Sequence, residues 1–223
     1  MLIEDLKPFS FLLGGLSEAH RELIHSSCRE VSFPKNTVIL QQEEDSFDLY
    51  ILISGQVKVS RIAEDGREVI LAMLKKGDIF GELSLLDQKS RSAMVSATTD
   101  VRLLFLPRDA FLKIIRENSD LAITLLAVLS QRLRKANETI QTLTFLDVAG
   151  RVAKIIIDLA KNSGEPLRDG FVRVPCPTHQ TIANQIGSSR ESVTKAIKSL
   201  VVNGLISMNG KEIIISARQF ELL

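Results

Sequence analysis

The chain has 223 residues, of which 45% are hydrophobic, enough for one large or two modest domains with real cores. Its formal net charge of +1 neither indicates nor excludes a nucleic-acid partner, but the charge is unevenly distributed. From Val148 onward there are ten Lys/Arg and six Asp/Glu, against 18 Lys/Arg and 21 Asp/Glu in the preceding part. A basic C-terminal part behind an acidic N-terminal part predicts one nucleic-acid-binding domain.

The sequence has no signal-peptide pattern and no apolar run of about 18 residues, so we expect a cytoplasmic protein without a membrane segment. Cys28 and Cys176 lie far apart, and each is interpreted as a small structural residue in a reducing compartment. Residues 1 to about 30 show helical spacing, with Ser17 as a predicted N-cap. His20 and His25 in this stretch are interpreted as packing or solvent-facing residues.

Between Val31 and Leu106, short apolar runs alternate with glycine turns, which predicts a jelly-roll barrel of short strands. The candidate strands are Val38–Leu40, Leu49–Ile53, Val57–Val59, Val69–Leu74 and Val101–Leu106. A jelly roll also allows a metal-dependent cupin enzyme, which needs several inward-pointing histidine or carboxylate ligands. The chain has three histidines, and all of them lie outside this region, so the sequence argues against that enzyme.

One stretch of the predicted barrel, Ile79–Ala97, has the features of an anion pocket. Gly81 would let the backbone approach a ligand, and the turn formed with Glu82, Leu83 and Ser84 can open a short helix whose free N–H groups point at a negative charge. Arg91 can donate two hydrogen bonds to phosphate oxygens.

Two further residues of this stretch extend the pocket beyond a simple anion site. The Ser92 hydroxyl can add a third donor to a phosphate. Glu82 would repel a phosphate but can accept a hydrogen bond from a ribose 2′-OH, and the combination suggests a cyclic nucleotide. The less specific alternatives are that Arg91 makes an ordinary ion pair on the barrel surface and that Glu82 only begins a helix.

Pro107 is predicted to start a helix, and a longer helix follows from Asn118-Ser119 to about Phe145. Its apolar residues alternate at spacings of four and three for three heptads: Ala122, Leu126, Leu129, Leu133, Ala136, Ile140 and Leu143. This pattern favours a parallel two-stranded coiled coil and therefore a homodimer. The alternative is a single wide stripe that packs on the barrel.

The C-terminal part has the pattern of a winged helix-turn-helix. A predicted hinge at Leu146-Asp147-Val148 precedes a helix from about Gly150 to Lys161. Thr178 is predicted to cap a helix that Gly187 ends, and Ser188 and Glu191 are predicted to form a capping box for the next helix. Asn209-Gly210 between two apolar runs predicts the hairpin of the wing.

Four segments in this order resemble the cyclic AMP receptor proteins of the CRP/FNR superfamily: Gly-Glu-Leu at Gly81, Arg-Ser-Ala at Arg91, FLDVAGRVA from Phe145 and SSRESVTKAI from Ser188. The resemblance covers nearly the whole chain. It implies an α+β protein with an N-terminal jelly-roll, cyclic-nucleotide-binding β-barrel domain (residues 1–117), a dimerisation helix and hinge (118–146) and a winged helix-turn-helix domain (147–223). One departure is Glu43, at a loop position where the family usually has glycine.

The resemblance also implies how the ligand base is read. In the family, consecutive threonine and serine residues on the dimer helix contact the base, and the matching positions here are Ala136 and Asn137. Ala136 cannot hydrogen-bond, whereas Asn137 can donate and accept. Cyclic AMP is therefore the first candidate effector and cyclic GMP the second. No catalytic cofactor is expected.

For DNA, the family reads a TGTGA-like half-site with arginine, glutamate and a second arginine. Arg190 and Glu191 match the first two, and Lys195 replaces the second arginine and loses its bidentate fork. The exposed end of this helix also carries Ser192 and Thr194, while Thr178, His179, Ser188 and Lys198 are better placed for phosphates. The plain alternative is a solvated charged helix face.

The resemblance predicts a dimeric transcription regulator that binds double-stranded DNA and contacts RNA polymerase if it activates. Two other readings stay open within the same architecture. One is a regulator that binds DNA without an effector, its pocket vestigial. The other is a haem gas sensor, which the absence of histidine near the pocket or the dimer helix disfavours.

Overall fold

A computed structural model describes residues 26–218, so the predicted N-cap Ser17 and the residues His20 and His25 lie outside the described part. The chain divides after Leu133 into two compact units. No helix of the described residues is both long and apolar enough to cross a membrane.

The first unit contains two four-stranded antiparallel sheets, in the strand orders β1-β8-β3-β6 and β2-β7-β4-β5. The strands are β1 (Arg29–Phe33), β2 (Val38–Leu40), β3 (Leu49–Ser54), β4 (Gln56–Ile62), β5 (Glu68–Lys75), β6 (Ile79–Phe80), β7 (Met94–Ala97) and β8 (Val101–Leu106). The predicted jelly-roll barrel is confirmed. All five predicted strands form, and β1, β6 and β7 were not predicted because they are short or mix polar with apolar residues.

The central strands β3 and β8 are buried on both faces. On one face, Leu52 and Leu103 belong to the cluster between the two sheets. On the other, Leu49, Ile51 and Leu104 pack against the helices that follow the barrel. Burial on both faces explains why these strands appear in the sequence as near-continuous apolar runs.

The helices α1 (Glu82–Asp87), α2 (Arg108–Glu117) and α3 (Ser119–Phe145) accompany the barrel. The predicted long helix is confirmed, and Asn118 accepts from the Leu121 amide at its start. Leu121 and Leu125 are the buried residues of α3 and pack against the barrel. The heptad positions Leu126, Leu133 and Ile140 are 61–64% exposed, whereas Leu129, another heptad position, packs against the barrel cluster.

The second unit is a winged helix-turn-helix, as predicted. It contains α4 (Val148–Ser163), β9 (Glu165–Pro166), β10 (Phe171–Pro175), α5 (His179–Ile186), α6 (Arg190–Val202), β11 (Ser207–Asn209) and β12 (Glu212–Ser216). The strand order of its sheet is β11-β12-β10-β9. Fifteen buried residues from the three helices and this sheet, together with Ile206 between α6 and β11, form one core.

Local boundaries in this unit differ from the predictions. Asp147 caps α4 by accepting from the Gly150 amide, so that helix begins two residues earlier than predicted. The wing turns at Gly210-Lys211, because Asn209 already pairs with Glu212.

The predicted capping box at the start of α6 is wrong. The N-cap is Ser189, whose side chain accepts from the Ser192 amide. The Ser188 amide donates to the Ala183 carbonyl and closes the end of α5. Glu191 is consequently the second helical residue and lies one position too early to complete the box.

Candidate effector pocket and DNA-binding surface

Gly81 is the N-cap residue of α1. Its φ of 87° lies in the left-handed region, which favours glycine. A Cβ atom at this position would lie 2.6 Å from the Asp48 carbonyl oxygen and 2.8 Å from Nη1 of Arg91. The close approach that we predicted for a ligand is thus made by Arg91 itself. Within residues 26–218, no side chain caps the first turn of α1, so its leading N–H groups have no side-chain acceptor there.

Arg91 is 2% exposed and is held by three acceptors. Its Nε donates to Ser46 Oγ at 2.8 Å, Nη1 to the Gly81 carbonyl at 2.9 Å and Nη2 to the Asp48 carbonyl at 2.9 Å. Burial lowers the pKa of Arg91 from its ordinary value, and the negative charge of nearby side chains such as Asp48 opposes that shift. The alternative of an ordinary surface ion pair is wrong, because the guanidinium is buried against neutral acceptors.

Glu82 is 4% exposed and forms an ion pair with Arg132 of α3 at 2.6 Å. Arg132 also donates to the Ile79 carbonyl and so ties α3 to the strand that leads into the pocket. The sequence analysis missed Arg132. Nothing local marks it, since its partner lies 50 residues away.

The other predicted pocket residues are less constrained. Ser84 is buried and its hydroxyl lies 3.4 Å from the Ser90 carbonyl, whereas Leu83 and Ser92 are exposed. Asn137 is exposed and belongs to the second unit. The structure therefore brings Gly81, Glu82, Ser84 and Arg91 together.

The loop with Glu43 lies directly against Arg91. The Glu43 amide donates to the Arg91 carbonyl at 2.8 Å, and the Arg91 amide donates to the Glu44 carbonyl at 2.9 Å. Glu43 has φ of 68°, in the left-handed region that non-glycine residues avoid. The departure from the family pattern therefore carries backbone strain beside the pocket.

In the second unit, the first helix of the helix-turn-helix is α5 and the second is α6. Thr178 caps α5 by accepting from the Thr181 amide, and Gly187 ends it with φ of 63°, both as predicted. Arg190, Glu191, Lys195 and Lys198 are exposed along α6. His179 and Thr194 are only half-buried and contact each other, with Nδ1 and Oγ1 2.8 Å apart.

Comparison with known proteins identifies both units. The cyclic nucleotide-binding domain model matches residues 30–118, and the Crp-like helix-turn-helix domain model matches residues 150–219. The chain belongs to the CRP/FNR family of transcription regulators. This confirms the resemblance found in the sequence and sets aside the cupin enzyme.

Relatives across the family support this assignment. A CRP-like cAMP-activated global transcriptional regulator of Mycobacterium tuberculosis is 39% identical over 83% of each chain. The cAMP-activated global transcriptional regulator CRP of Escherichia coli is 34% identical over 85% of this chain and 90% of its own. The c-di-GMP responsive global regulator CLP of Xanthomonas campestris shares the fold, with a TM-score of 0.79 at 22% identity over 90% and 99% of the two chains.

Proposed function

We propose that this CRP/FNR regulator is a cytoplasmic homodimer whose DNA binding is controlled by cyclic AMP in the barrel. The observation that carries the proposal is the buried Arg91 guanidinium beside the uncapped start of α1. Its relatives at 39% and 34% identity are cAMP-activated regulators, which supports this effector over cyclic GMP.

Arg91 is prepared to receive a phosphate. A guanidinium has five N–H groups, and the three hydrogen bonds to Ser46, Asp48 and Gly81 use one on each nitrogen. Two N–H groups, one on each terminal nitrogen, are left for phosphate oxygens. Because three bonds already fix the plane of the guanidinium, binding costs little side-chain entropy.

Glu82 and Ser92 complete the proposed contacts to the phosphate and the sugar. Arg132 pairs with Oε1 of Glu82 and neutralises the carboxylate that would otherwise repel the phosphate. The second carboxylate oxygen accepts from the ribose 2′-OH, and the exposed Ser92 hydroxyl donates to the phosphate. The Gly81, Leu83 and Ser84 backbone supports the same anion, and Asn137 reads the base.

The second protomer covers the seam of α3. Leu126, Leu133 and Ile140 recur at heptad spacing, and each is more than 60% exposed in one chain. Apolar residues at alternating spacings of four and three are buried by a second helix of the same kind. The homodimer presents two copies of α6 to successive major grooves, about 34–36 Å apart.

The effector acts by its differential affinity for two arrangements of the dimer. Arg190 and Glu191 read base edges, with Lys195 and Ser192 beside them, while Thr178, Ser188 and Lys198 contact the backbone. If the regulator activates transcription, the bound dimer also contacts RNA polymerase.

Calorimetric titration of the full-length protein with cyclic AMP and with cyclic GMP tests the effector. We expect saturable binding of cyclic AMP that is lost in Arg91→Ala and kept in Arg61→Ala, which removes an exposed arginine of the same barrel. A circular dichroism melt checks that both variants fold. If neither nucleotide binds the wild-type protein, cyclic-nucleotide control fails, and the regulator either binds DNA without an effector or senses a different ligand.

A further inference from the structure

The contact between His179 and Thr194 fixes where the imidazole carries its proton. The Thr194 hydroxyl lies 2.9 Å from the Arg190 carbonyl and 2.8 Å from His179 Nδ1. A carbonyl can only accept, and a hydroxyl has a single hydrogen, so that hydrogen points to the Arg190 carbonyl. The Thr194 oxygen must then accept from His179, and Nδ1 must carry a hydrogen.

This relay decides what the other ring nitrogen can do. With the hydrogen of the neutral ring on Nδ1, Nε2 has only a lone pair and cannot donate to a phosphate oxygen. In the imidazolium form, Nε2–H becomes a donor and the ring gains a positive charge. His179 can therefore contact a DNA phosphate only after it takes up a proton.

We propose that Thr194 is a positioning residue for His179, and that the regulator binds one proton at His179 when it binds DNA. The inference rests on the proposed function, because it needs the start of α5 to face the phosphate backbone, as the first helix of a helix-turn-helix does. The Thr194 hydroxyl is then engaged by His179 and the Arg190 carbonyl and is not available to a base edge.

The surrounding charges do not supply the same pH dependence. On α6, Arg190, Glu191 and Lys198 lie one turn from Thr194 on the same side. The hairpin adds Lys211, whose carbonyl accepts from the Cys176 amide just before α5.

On α4, Arg151 contacts the far end of α5 through the Ile186 carbonyl. Arginine, lysine and glutamate side chains ordinarily keep their charge between pH 6 and 8, whereas histidine changes its charge there. Burial also raises the pKa of Cys176, which moves that thiol further from this range.

The sign of the linkage follows from the charge of DNA. A phosphate favours the charged form of a neighbouring histidine, so the ring holds its proton more tightly in the complex. The affinity that this contact adds is therefore present when the ring is protonated and is lost as rising pH removes the proton.

The test measures the affinity of the cyclic AMP-saturated full-length protein for a duplex with TGTGA half-sites from pH 6 to 8 at constant ionic strength. We expect wild-type affinity to be about tenfold higher at pH 6 than at pH 8. His179→Gln is expected to flatten this profile. Thr194→Val should make it shallower, and Thr194→Ser, which keeps the hydroxyl, should restore it.

A second readout tests the relay without DNA. In a nitrogen-15 NMR spectrum of the free protein, the neutral His179 ring should carry its hydrogen on Nδ1, and Thr194→Val should shift it towards Nε2. A pH profile of the wild type equal to that of His179→Gln, or a wild-type ring protonated on Nε2, overturns the inference. If the wild-type protein binds no DNA at any pH, the proposed function fails, while the NMR spectrum still tests the relay.

Discussion

At the scale of single residues, Gly81 and Arg91 depend on each other. The sequence predicted both residues and their place in an anion pocket, but it assigned the free space above Gly81 to a ligand. In the structure, the guanidinium and the Asp48 carbonyl fill that space. Such a contact joins segments 43 residues apart, and no local pattern encodes it.

We expect Gly81→Ala to destabilise the barrel by about 1–3 kcal/mol more than Gly66→Ala, because its methyl group enters an occupied site. Gly66 is a matched control, since its φ of 81° is similar and nothing lies within 4 Å of its Cβ position. Urea unfolding measures the difference, and cyclic AMP affinity should fall only in Gly81→Ala. Equal costs for the two variants would contradict the packing of Arg91 on Gly81.

Glu43→Gly should stabilise the protein by about 0.5–1 kcal/mol. Relief of the left-handed conformation at φ of 68° outweighs the entropy cost of glycine in the unfolded chain. Asp45→Gly, in the same loop but without a positive φ, should instead destabilise it. Urea midpoints of both variants check the sign, and a loss of stability in Glu43→Gly would argue that its side chain matters more than its backbone.

Arg190→Ala should cost about 1–3 kcal/mol on the specific site and relax base preference there, since a bidentate contact to guanine is lost. Lys198→Ala should weaken binding to all sequences alike and reduce the salt dependence by about one charge. Titrations with specific and unrelated duplexes at several salt concentrations distinguish the loss of a base contact in Arg190→Ala from the loss of a phosphate contact in Lys198→Ala. Unchanged specificity in Arg190→Ala would remove it from the base contacts.

At the scale of elements, apolar periodicity predicted far more than cap chemistry did. The long helix α3 and the helix-turn-helix were predicted correctly because their apolar residues repeat locally. The start of α6 was not, because Ser188 and Ser189 are equally good caps in sequence. In the structure, the Ser188 amide closes the preceding helix and the Ser189 side chain caps α6. The sequence could not identify Arg132 either, because its role depends on Glu82, a partner 50 residues away.

Ile140→Asp is expected to dissociate the homodimer, because a carboxylate would be buried in the apolar seam. Ile140 is 61% exposed in one chain, so the fold of each protomer should be retained. Gln141→Asp adds the same charge one residue away from the seam and should leave the dimer intact. Sedimentation at micromolar concentration measures both, and a dimeric Ile140→Asp would place the interface elsewhere.

At the scale of the whole molecule, the phosphate side of the proposed effector site and the proposed DNA-binding surface belong to different units, while the proposed base contact, Asn137, lies in the second unit. All residues that hold Arg91 and Glu82 lie in the first unit, whereas every predicted DNA contact lies in the second. The uneven charge of the sequence predicted this division. The charge distribution could not predict which conformations of the proposed dimer the effector selects. That selection depends on the free-energy differences between those conformations.

Cyclic AMP at a hundred times its dissociation constant should stabilise the folded protein by about 2.7 kcal/mol, since it binds only the native barrel. A thermal melt monitored by the single tyrosine, Tyr50 in β3, reports on the first unit. Arg91→Ala should show no shift at the same concentration, and Arg61→Ala should show the full shift. A shift that persists in Arg91→Ala would place the nucleotide in another site.

The position of the pocket along the chain has a consequence for synthesis. The partners that hold Arg91 and Glu82 lie between Ser46 and Arg132, and the last strand of the barrel ends at Leu106. Because domains fold as units from the N-terminal end during translation, the effector site can be complete before the helix-turn-helix has been translated. A nascent chain can thus bind its nucleotide on the ribosome, before the DNA-binding domain has been synthesised.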